Sequence, residues 1–273
     1  MRRLVAVACF VLTVVPGVAS GSEKPPSSYL DRLEGMRSFE AAGSKKDTSL
    51  RARSIREAAF SLGSRAGLSW ETERINRSLD KEEGILDRMF DFSGLLLDDG
   101  RVIPPVVLST RGTVKMDSPL LIQRSLVSWH ILHPAVLATV PPNWRLYLYR
   151  HYDEPDTGKV PGVLLPKTKK ERKEWRKGVS EGFTLGVRQA KEIFKISLRR
   201  LKTDFLGMVR FHALAVRNVV SIPVYSHTDL GVVRSKDRVD AGVRIYRIQV
   251  PSGFTPEGSW KAPGIMDSGK ENR

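Results

Sequence analysis

The feature that most constrains the fold is a long stretch with helical periodicity, residues 165–218. Its large apolar side chains recur at steps of three and four, which is the spacing of one helix face. They are Trp175, Val179, Phe183, Val187, Ala190, Phe194, Leu198, Leu201, Phe205 and Met208. Pro166 stands where the helix would begin, and proline is tolerated there because its missing N–H needs no partner. A single helix of this length would measure roughly 75 Å, so we expect a break near Gly207 into two helices.

Glycines recur every fourth residue beside this apolar face, at Gly178, Gly182 and Gly186. Each costs about 1 kcal/mol relative to alanine inside a helix, so three in register indicate the close approach of another backbone. A second helical segment, residues 50–79, carries Gly63 and Gly67 at the same spacing and is the candidate partner within the chain. The alternative is that the stripe packs on a partner chain and serves assembly.

The chain is basic, with a net charge of +15, and most of this charge lies in residues 166–217. Such a chain favours acidic partners, namely nucleic acid, anionic lipid or acidic protein. Lys169, Lys170 and Lys173 at the start of the long helix are candidates for contact with an anion, or else form a solvated helix start. Nucleic acid is not expected, because few aromatic residues are interleaved with these cations.

The N-terminus has the pattern of a secretory signal peptide, residues 1–20. Arg2 and Arg3 precede an apolar run that is too short to span a bilayer, and small residues follow. Cys9, the only cysteine of the sequence, lies inside this signal, so no disulfide within the chain is expected. The run from Ala6 to Cys9 loosely matches a bacterial lipobox but lacks its usual leucine. Lipidation of Cys9 and cleavage near Ser20 are therefore alternatives.

The rest of the sequence predicts an α+β fold, in which long helices pack on a small, mainly antiparallel sheet within one domain, residues 49–252. A flexible leader at 21–48, with one short helix at 29–33, precedes this domain, and a flexible tail at 253–273 follows it. A further helix is expected from Lys81 to about Phe92, with a turn at 98–100. Residues 144–152 fit either a strand or a short helix. Strands are predicted for runs rich in β-branched residues, at 102–103, 106–108, 113–116, 126–137, 219–225 and 243–250.

The sequence contains no phosphate-binding glycine loop, paired-cysteine metal site or nucleophile elbow. His130 and His133 lie three apart in a predicted strand, so they face opposite sides and cannot share a metal. The run Ser226, His227 and Asp229 has triad residue types, but triad residues meet in space rather than in sequence. We predict that the protein is not an enzyme and needs no cofactor or metal. A hydrolase that uses these three residues is the alternative.

Several short blocks, in a fixed order along the chain, carry a family resemblance. They are Arg56-Glu57-Ala58-Ala59, Phe90-Asp91-Phe92, Pro141-Pro142-Asn143-Trp144, Leu164-Leu165-Pro166-Lys167, Glu181-Gly182, Gln189-Ala190 and His227-Thr228-Asp229-Leu230-Gly231-Val232. Together, across residues 50–250, they resemble the DotC family. The order of the blocks is more specific than any one of them.

This resemblance implies a structural subunit of the outer-membrane core complex of a type IVB secretion or conjugation system. Such a subunit is periplasmic and associated with the outer membrane. Family members are lipoproteins of mixed α/β fold without a known enzymatic site, and they assemble in rings with DotD-like and DotH-like partners. The sequence departs from the family in the poor lipobox at Cys9. The alternative function is a periplasmic binding module whose basic helix holds anionic lipid or peptidoglycan.

Overall fold

The computed structural model describes residues 27–37, 48–118 and 121–261. Its helices are α1 (Ser27–Glu34), α2 (Thr48–Lys81), α3 (Glu83–Met89), α4 (Trp144–Leu148) and α5 (Lys169–Val216). Its strands are β1 (Val102–Ile103), β2 (Val106–Ser118), β3 (Leu121–His133), β4 (Val136–Leu137), β5 (Val224–Arg234) and β6 (Val239–Val250). The predicted signal peptide, with Cys9, and residues 262–273 of the predicted tail lie outside these ranges.

The α+β class is confirmed, because long helices and small antiparallel sheets make up the described chain. Instead of one sheet there are separate two-stranded pairs, β1 with β4, β2 with β3 and β5 with β6. The two predicted strands at 106–108 and 113–116 form one strand, β2. It continues through Gly112, whose positive φ of 63° is a conformation that glycine adopts without strain.

The last two strands differ from the predicted strands at 219–225 and 243–250, because they include most of the polar residues between them. β5 and β6 form a hairpin, and the Ser235 amide donates to the Arg238 carbonyl oxygen at 2.8 Å in the turn. Polar residues fit these strands because both faces of the hairpin are largely exposed to solvent. The predicted turn at residues 98–100 is present, with positive φ at Asp98, Asp99 and Gly100.

Contacts divide the described chain into two compact units. The first comprises the described residues up to 86 together with 147–199, and the second comprises 87–146 and 200–261. α5 contributes its residues 169–199 to the first unit and 200–216 to the second. No helix in the described ranges combines the length and the apolar character that crossing a membrane requires.

The core of the first unit lies between α2 and α5. Its fully buried side chains include Ile55, Leu62, Trp175 and Val179. α1 adds Leu33, whose carbonyl oxygen accepts a hydrogen bond from Trp175 Nε1 at 2.9 Å. The predicted leader therefore includes a helix that packs into this core.

The core of the second unit lies where the C-terminal part of α5 meets β2. Val107 and Phe211 are fully buried there, beside Leu214, Val219 and Val220. The chain returns to this core after β6, where the Thr255 amide donates to the Val219 carbonyl oxygen at 3.0 Å and the Lys261 amide to that of Arg217 at 2.8 Å. The first residues of the predicted tail are thus held by backbone hydrogen bonds.

The break predicted in α5 near Gly207 is wrong, because the helix is continuous from Lys169 to Val216. Gly207 is a point of close packing rather than a hinge. A Cβ there would lie 3.2 Å from the Val107 amide nitrogen and closer still to the Val106 side chain. The apolar periodicity also continues past it through Met208 and Phe211, both buried.

Candidate interaction surfaces

α2 and α5 run parallel, since the ion pairs between them advance in the same direction along both helices. Arg51 contacts Glu171 at 2.9 Å, Arg56 contacts Glu181 at 2.8 Å and Glu71 lies 3.9 Å from Lys191. Glu71 is buried at 1% exposure and also accepts from Arg74 at 2.6 Å. Sequence reasoning missed these pairs, because they depend on which helices meet and in which register.

Glycines set the closest approach of α2 to α5. A Cβ at Gly182 would lie 2.9 Å from the Phe60 carbonyl carbon and 3.0 Å from its Cα. A Cβ at Gly67 would lie at the same two distances from the corresponding atoms of Phe183. These are backbone atoms, which cannot move aside as a flexible side chain can, so only glycine permits this distance between the helix axes.

The other three glycines of the stripe make the same kind of contact. A Cβ at Gly63 would lie 3.0 Å from the Val179 carbonyl carbon, one at Gly178 would lie 2.7 Å from the Arg56 carbonyl oxygen, and one at Gly186 would lie 2.6 Å from the Leu68 amide nitrogen. The structure therefore brings all five predicted glycines together within one chain. The alternative contact with a partner chain is wrong for this stripe, because α2 already covers it.

The basic start of α5 is exposed to solvent. Lys169, Lys170 and Lys173 are exposed, and within the described chain none of the three makes an ion pair. α5 begins at Lys169, three residues after Pro166, where the sequence predicted its start. The Thr168 hydroxyl accepts from the Glu171 amide at 3.2 Å. The Glu171 carboxylate in turn accepts from the Thr168 amide at 3.1 Å, which makes a capping box.

Glu171 is held as a charged group by this cap. Burial acts to raise its pKa, but hydrogen bonds from the Lys167 and Thr168 amides and from the Arg51 side chain outweigh burial, so its pKa is lowered. The Lys167 amide donates to it at 2.8 Å and Arg51 at 2.9 Å. One carboxylate thus ties the start of α5 to α2 and leaves the three lysines free to face solvent.

The triad-like run on β5 is not assembled into a triad. The Ser226 hydroxyl accepts from Gln249 at 3.0 Å, and Asp229 pairs with Arg244, which lowers the pKa of that carboxyl group. The His227 ring lies 6.1 Å from the Tyr246 ring. His130 and His133 lie on β3, and no group of three or more potential metal ligands occurs in the described ranges.

An anchor that the sequence did not reveal joins α3 to α4. Asp87 accepts a hydrogen bond from the Trp144 indole at 2.7 Å and from Arg145 at 2.7 and 3.1 Å. The hydrogen bonds from Arg145 and then Trp144 lower the pKa of Asp87. Trp144 itself is buried at 1% exposure. Residues 57 positions apart give no local signal of such a contact.

A cleft of about 460 Å³ opens beside α2 in the first unit. Its charged lining is largely paired within the chain, because Glu154 contacts Arg32 at 2.6 Å and Asp156 contacts Lys159 at 3.6 Å. We see no convergent set of polar groups there that would hold a ligand.

The hairpins β2–β3 and β5–β6 are long surfaces that the described chain leaves mostly exposed to solvent. Each is a two-stranded sheet whose outer edges have no strand partner among the described residues. Both expose large apolar side chains, for example Leu126 and Val232. Isolated two-stranded hairpins are at best marginally stable in water, and uncovered edges invite pairing with another chain.

Comparison with known families indicates the kind of system to which the chain belongs. A family model described as type IV secretory system, conjugal DNA-protein transfer (TraI) matches residues 49–262. The chain belongs to this family. The match confirms the predicted link to secretion and conjugation. It covers α2 from its second residue, all of α5 and every described strand. No curated protein matches the chain.

Proposed function

We propose that this chain is a structural subunit of the outer-membrane core complex of a type IVB secretion or conjugation system, similar to DotC. Membership of the conjugal transfer family supports the type of apparatus. The ordered blocks that resemble DotC support the type of subunit. The observation that carries a structural role is the pair of long hairpins with uncovered edges and apolar side chains, because such surfaces need a partner.

In this proposal the parallel pair of α2 and α5 is a rigid scaffold, and the hairpins contact other subunits. DotD-like and DotH-like proteins are the proposed partners, in a ring-forming hetero-oligomer in the periplasm at the outer membrane. Lipid on Cys9 and an unmodified start near Ser20 stay the two alternatives for the mature N-terminus. Neither a catalytic site nor a cofactor belongs to the proposal, and nucleic acid is not a proposed partner.

The test is co-purification from cells that carry the whole apparatus. A tagged full-length chain, expressed in place of the native one, should restore conjugal transfer and co-purify with other core subunits at a fixed ratio from the outer-membrane fraction. A chain that stays monomeric in membrane extracts, or whose deletion leaves transfer unchanged, would contradict the proposal. Mass spectrometry of the mature N-terminus decides between lipidated Cys9 and an unmodified start near Ser20.

The second candidate is a periplasmic binding module for anionic lipid or peptidoglycan. It is favoured by Lys169, Lys170 and Lys173, which are exposed and make no ion pair in the described chain. Pelleting with anionic vesicles should then depend on salt and be abolished by changing all three to Glu. The matched control changes Arg188, Lys195 and Arg199 to Glu, which alters the charge of the same helix equally. Equal loss in both triple variants would show a general charge effect and exclude this site.

A further inference from the structure

The hairpin β2–β3 changes its apolar face halfway along its length. Near its base the face that carries Val107, Trp129 and Ile131 packs on the core of the second unit. Beyond Gly112 the large apolar residues lie on the opposite face. The register pairs Met116 with Ile122 and Val114 with Arg124, which places Leu126 opposite Gly112 on that same face.

We call Val114, Met116, Ile122 and Leu126 the outer apolar face. Their exposures are 59%, 66%, 59% and 82%. The polar side chains Thr113, Lys115, Gln123 and Ser125 occupy the other face of the same half. Arg124, opposite Val114, also lies on the outer apolar face. Apart from this cation, the alternation is typical of a strand pair with one buried face. Among the described residues nothing buries this face, as the four exposures show, and the core of the second unit contacts the opposite face near the base.

The outer edge of β2 is the second unused feature. β2 pairs only with β3 among the described strands, so its other edge has no strand partner there. At the base of the hairpin the Val107 carbonyl oxygen accepts a hydrogen bond from Arg210, so the usable edge is the part from Gly112 onward. The outer half of β2, from Gly112 to Ser118, has seven residues, which at about 3.3 Å each gives an edge of roughly 23 Å. A strand edge without a partner, beside apolar side chains, is a template for an added strand.

Charge selects the chemistry of that strand. Between residues 106 and 133 the sequence has Arg111, Lys115 and Arg124 against a single acidic residue, Asp117. Arg111 and Lys115 lie on the polar face of β2, next to the edge. A neighbouring strand places its side chains about 4.5–5.5 Å from those of β2 and alternates them between the two faces. Acidic residues on it would face the two cations, and apolar residues would lie beside the outer apolar face.

We propose that the outer half of β2–β3 binds an extended segment of a different protein, in which apolar and acidic residues alternate and which adds a strand to the edge of β2. The inference rests on the proposed function for the setting, in which that protein is another subunit of the apparatus. A second copy of this chain fits less well, because its own net charge is +15 and its strands here are cationic.

The probe is a labelled twelve-residue peptide of alternating Val and Glu, titrated with the purified full-length chain and followed by fluorescence anisotropy. A peptide of the same length with alternating Val and Lys is the control peptide. The Val–Glu peptide should bind saturably and the Val–Lys peptide should not. Val114→Ser with Met116→Ser should weaken binding at least about tenfold. Arg111→Glu with Lys115→Glu should reverse the preference between the peptides, which a merely structural role would not do.

The matched control is Val232→Ser with Val239→Ser on β5–β6, at valines that are 64% and 61% exposed. It should leave binding unchanged, and circular dichroism should show all variants folded. The inference is overturned if neither peptide binds, or if the Val232→Ser, Val239→Ser control weakens binding as much as Val114→Ser with Met116→Ser. It is also overturned if Val114→Ser with Met116→Ser abolishes dimerisation of the chain or its binding to anionic vesicles instead. Co-purification of the wild-type chain with core subunits, measured separately, shows whether the proposed function stands when the inference fails.

Discussion

Replacing Gly182 by alanine tests whether the distance between α2 and α5 depends on the missing side chain. The new Cβ would lie 2.9 Å from the Phe60 carbonyl carbon and 3.0 Å from its Cα, whereas ordinary contacts are 3.4–4 Å. The carbonyl oxygen of Phe60 lies nearer still. The two helices must therefore separate by at least about 0.5 Å, and a gap of this size forfeits a quarter or more of the contact attraction along it.

The magnitude follows from two opposing effects. Overpacking a well-packed core costs about 1–3 kcal/mol, and a clash with backbone belongs at the upper end of that range. The higher helix propensity of alanine offsets about 1 kcal/mol of this loss in the free energy of unfolding. We expect a net loss of about 2 kcal/mol in the free energy of unfolding, and a larger loss for Gly182→Leu.

The assay is urea unfolding followed by tryptophan fluorescence and circular dichroism. The control is Ser180→Ala, an exposed position on the same helix that should change the free energy of unfolding by less than about 0.5 kcal/mol. If Gly182→Ala were as stable as the wild type, or more stable, the close approach of the helices through this glycine would be refuted.

Three further predictions concern single contacts. Asp87→Ala should lower the urea midpoint, because the buried Trp144 indole N–H loses its acceptor and an unsatisfied buried donor costs about 1–3 kcal/mol. Asp87→Asn keeps an acceptor oxygen and should lower the midpoint less. The pKa of Glu171 is lowered in the folded state, so acid should destabilise the chain. The loss should begin below about pH 4.5 and grow as the pH falls through that lowered pKa. Glu171→Gln should therefore show a weaker pH dependence of the thermal midpoint. Burial, aided by Glu154, raises the pKa of Tyr29 to about 12, so its contribution to stability is complete below pH 10 and lost towards pH 12. Tyr29→Phe should remove that alkaline loss in the same thermal assay.

The long helices could be predicted from the sequence because their signals are local. Apolar spacing along one face needs no knowledge of the partner, and it identified both α2 and most of α5. The glycine stripe was informative for a related reason. Glycine is costly inside a helix, so its recurrence at Gly178, Gly182 and Gly186 indicated a close approach before the partner helix was known.

What failed depended on contacts between distant parts of the chain. Gly207 suggested a break, but it lies against Val106 of a strand about a hundred residues earlier. The polar strand residues of β5 and β6 gave no apolar alternation, since both faces meet solvent. The acceptor that Asp87 provides for Trp144 is likewise set by tertiary structure. The candidate surfaces were only partly predictable, because exposure of an apolar residue is visible only when the rest of the chain has been placed.

The proposal that this family member is an assembled outer-membrane subunit is tested most directly by native mass spectrometry. The tagged full-length chain would be extracted in mild detergent from outer membranes of cells that carry the apparatus. The proposal predicts a complex with other core subunits, DotD-like and DotH-like proteins among them, at a fixed ratio across preparations. A chain recovered alone, at its monomer mass, from cells that still perform conjugal transfer would contradict it.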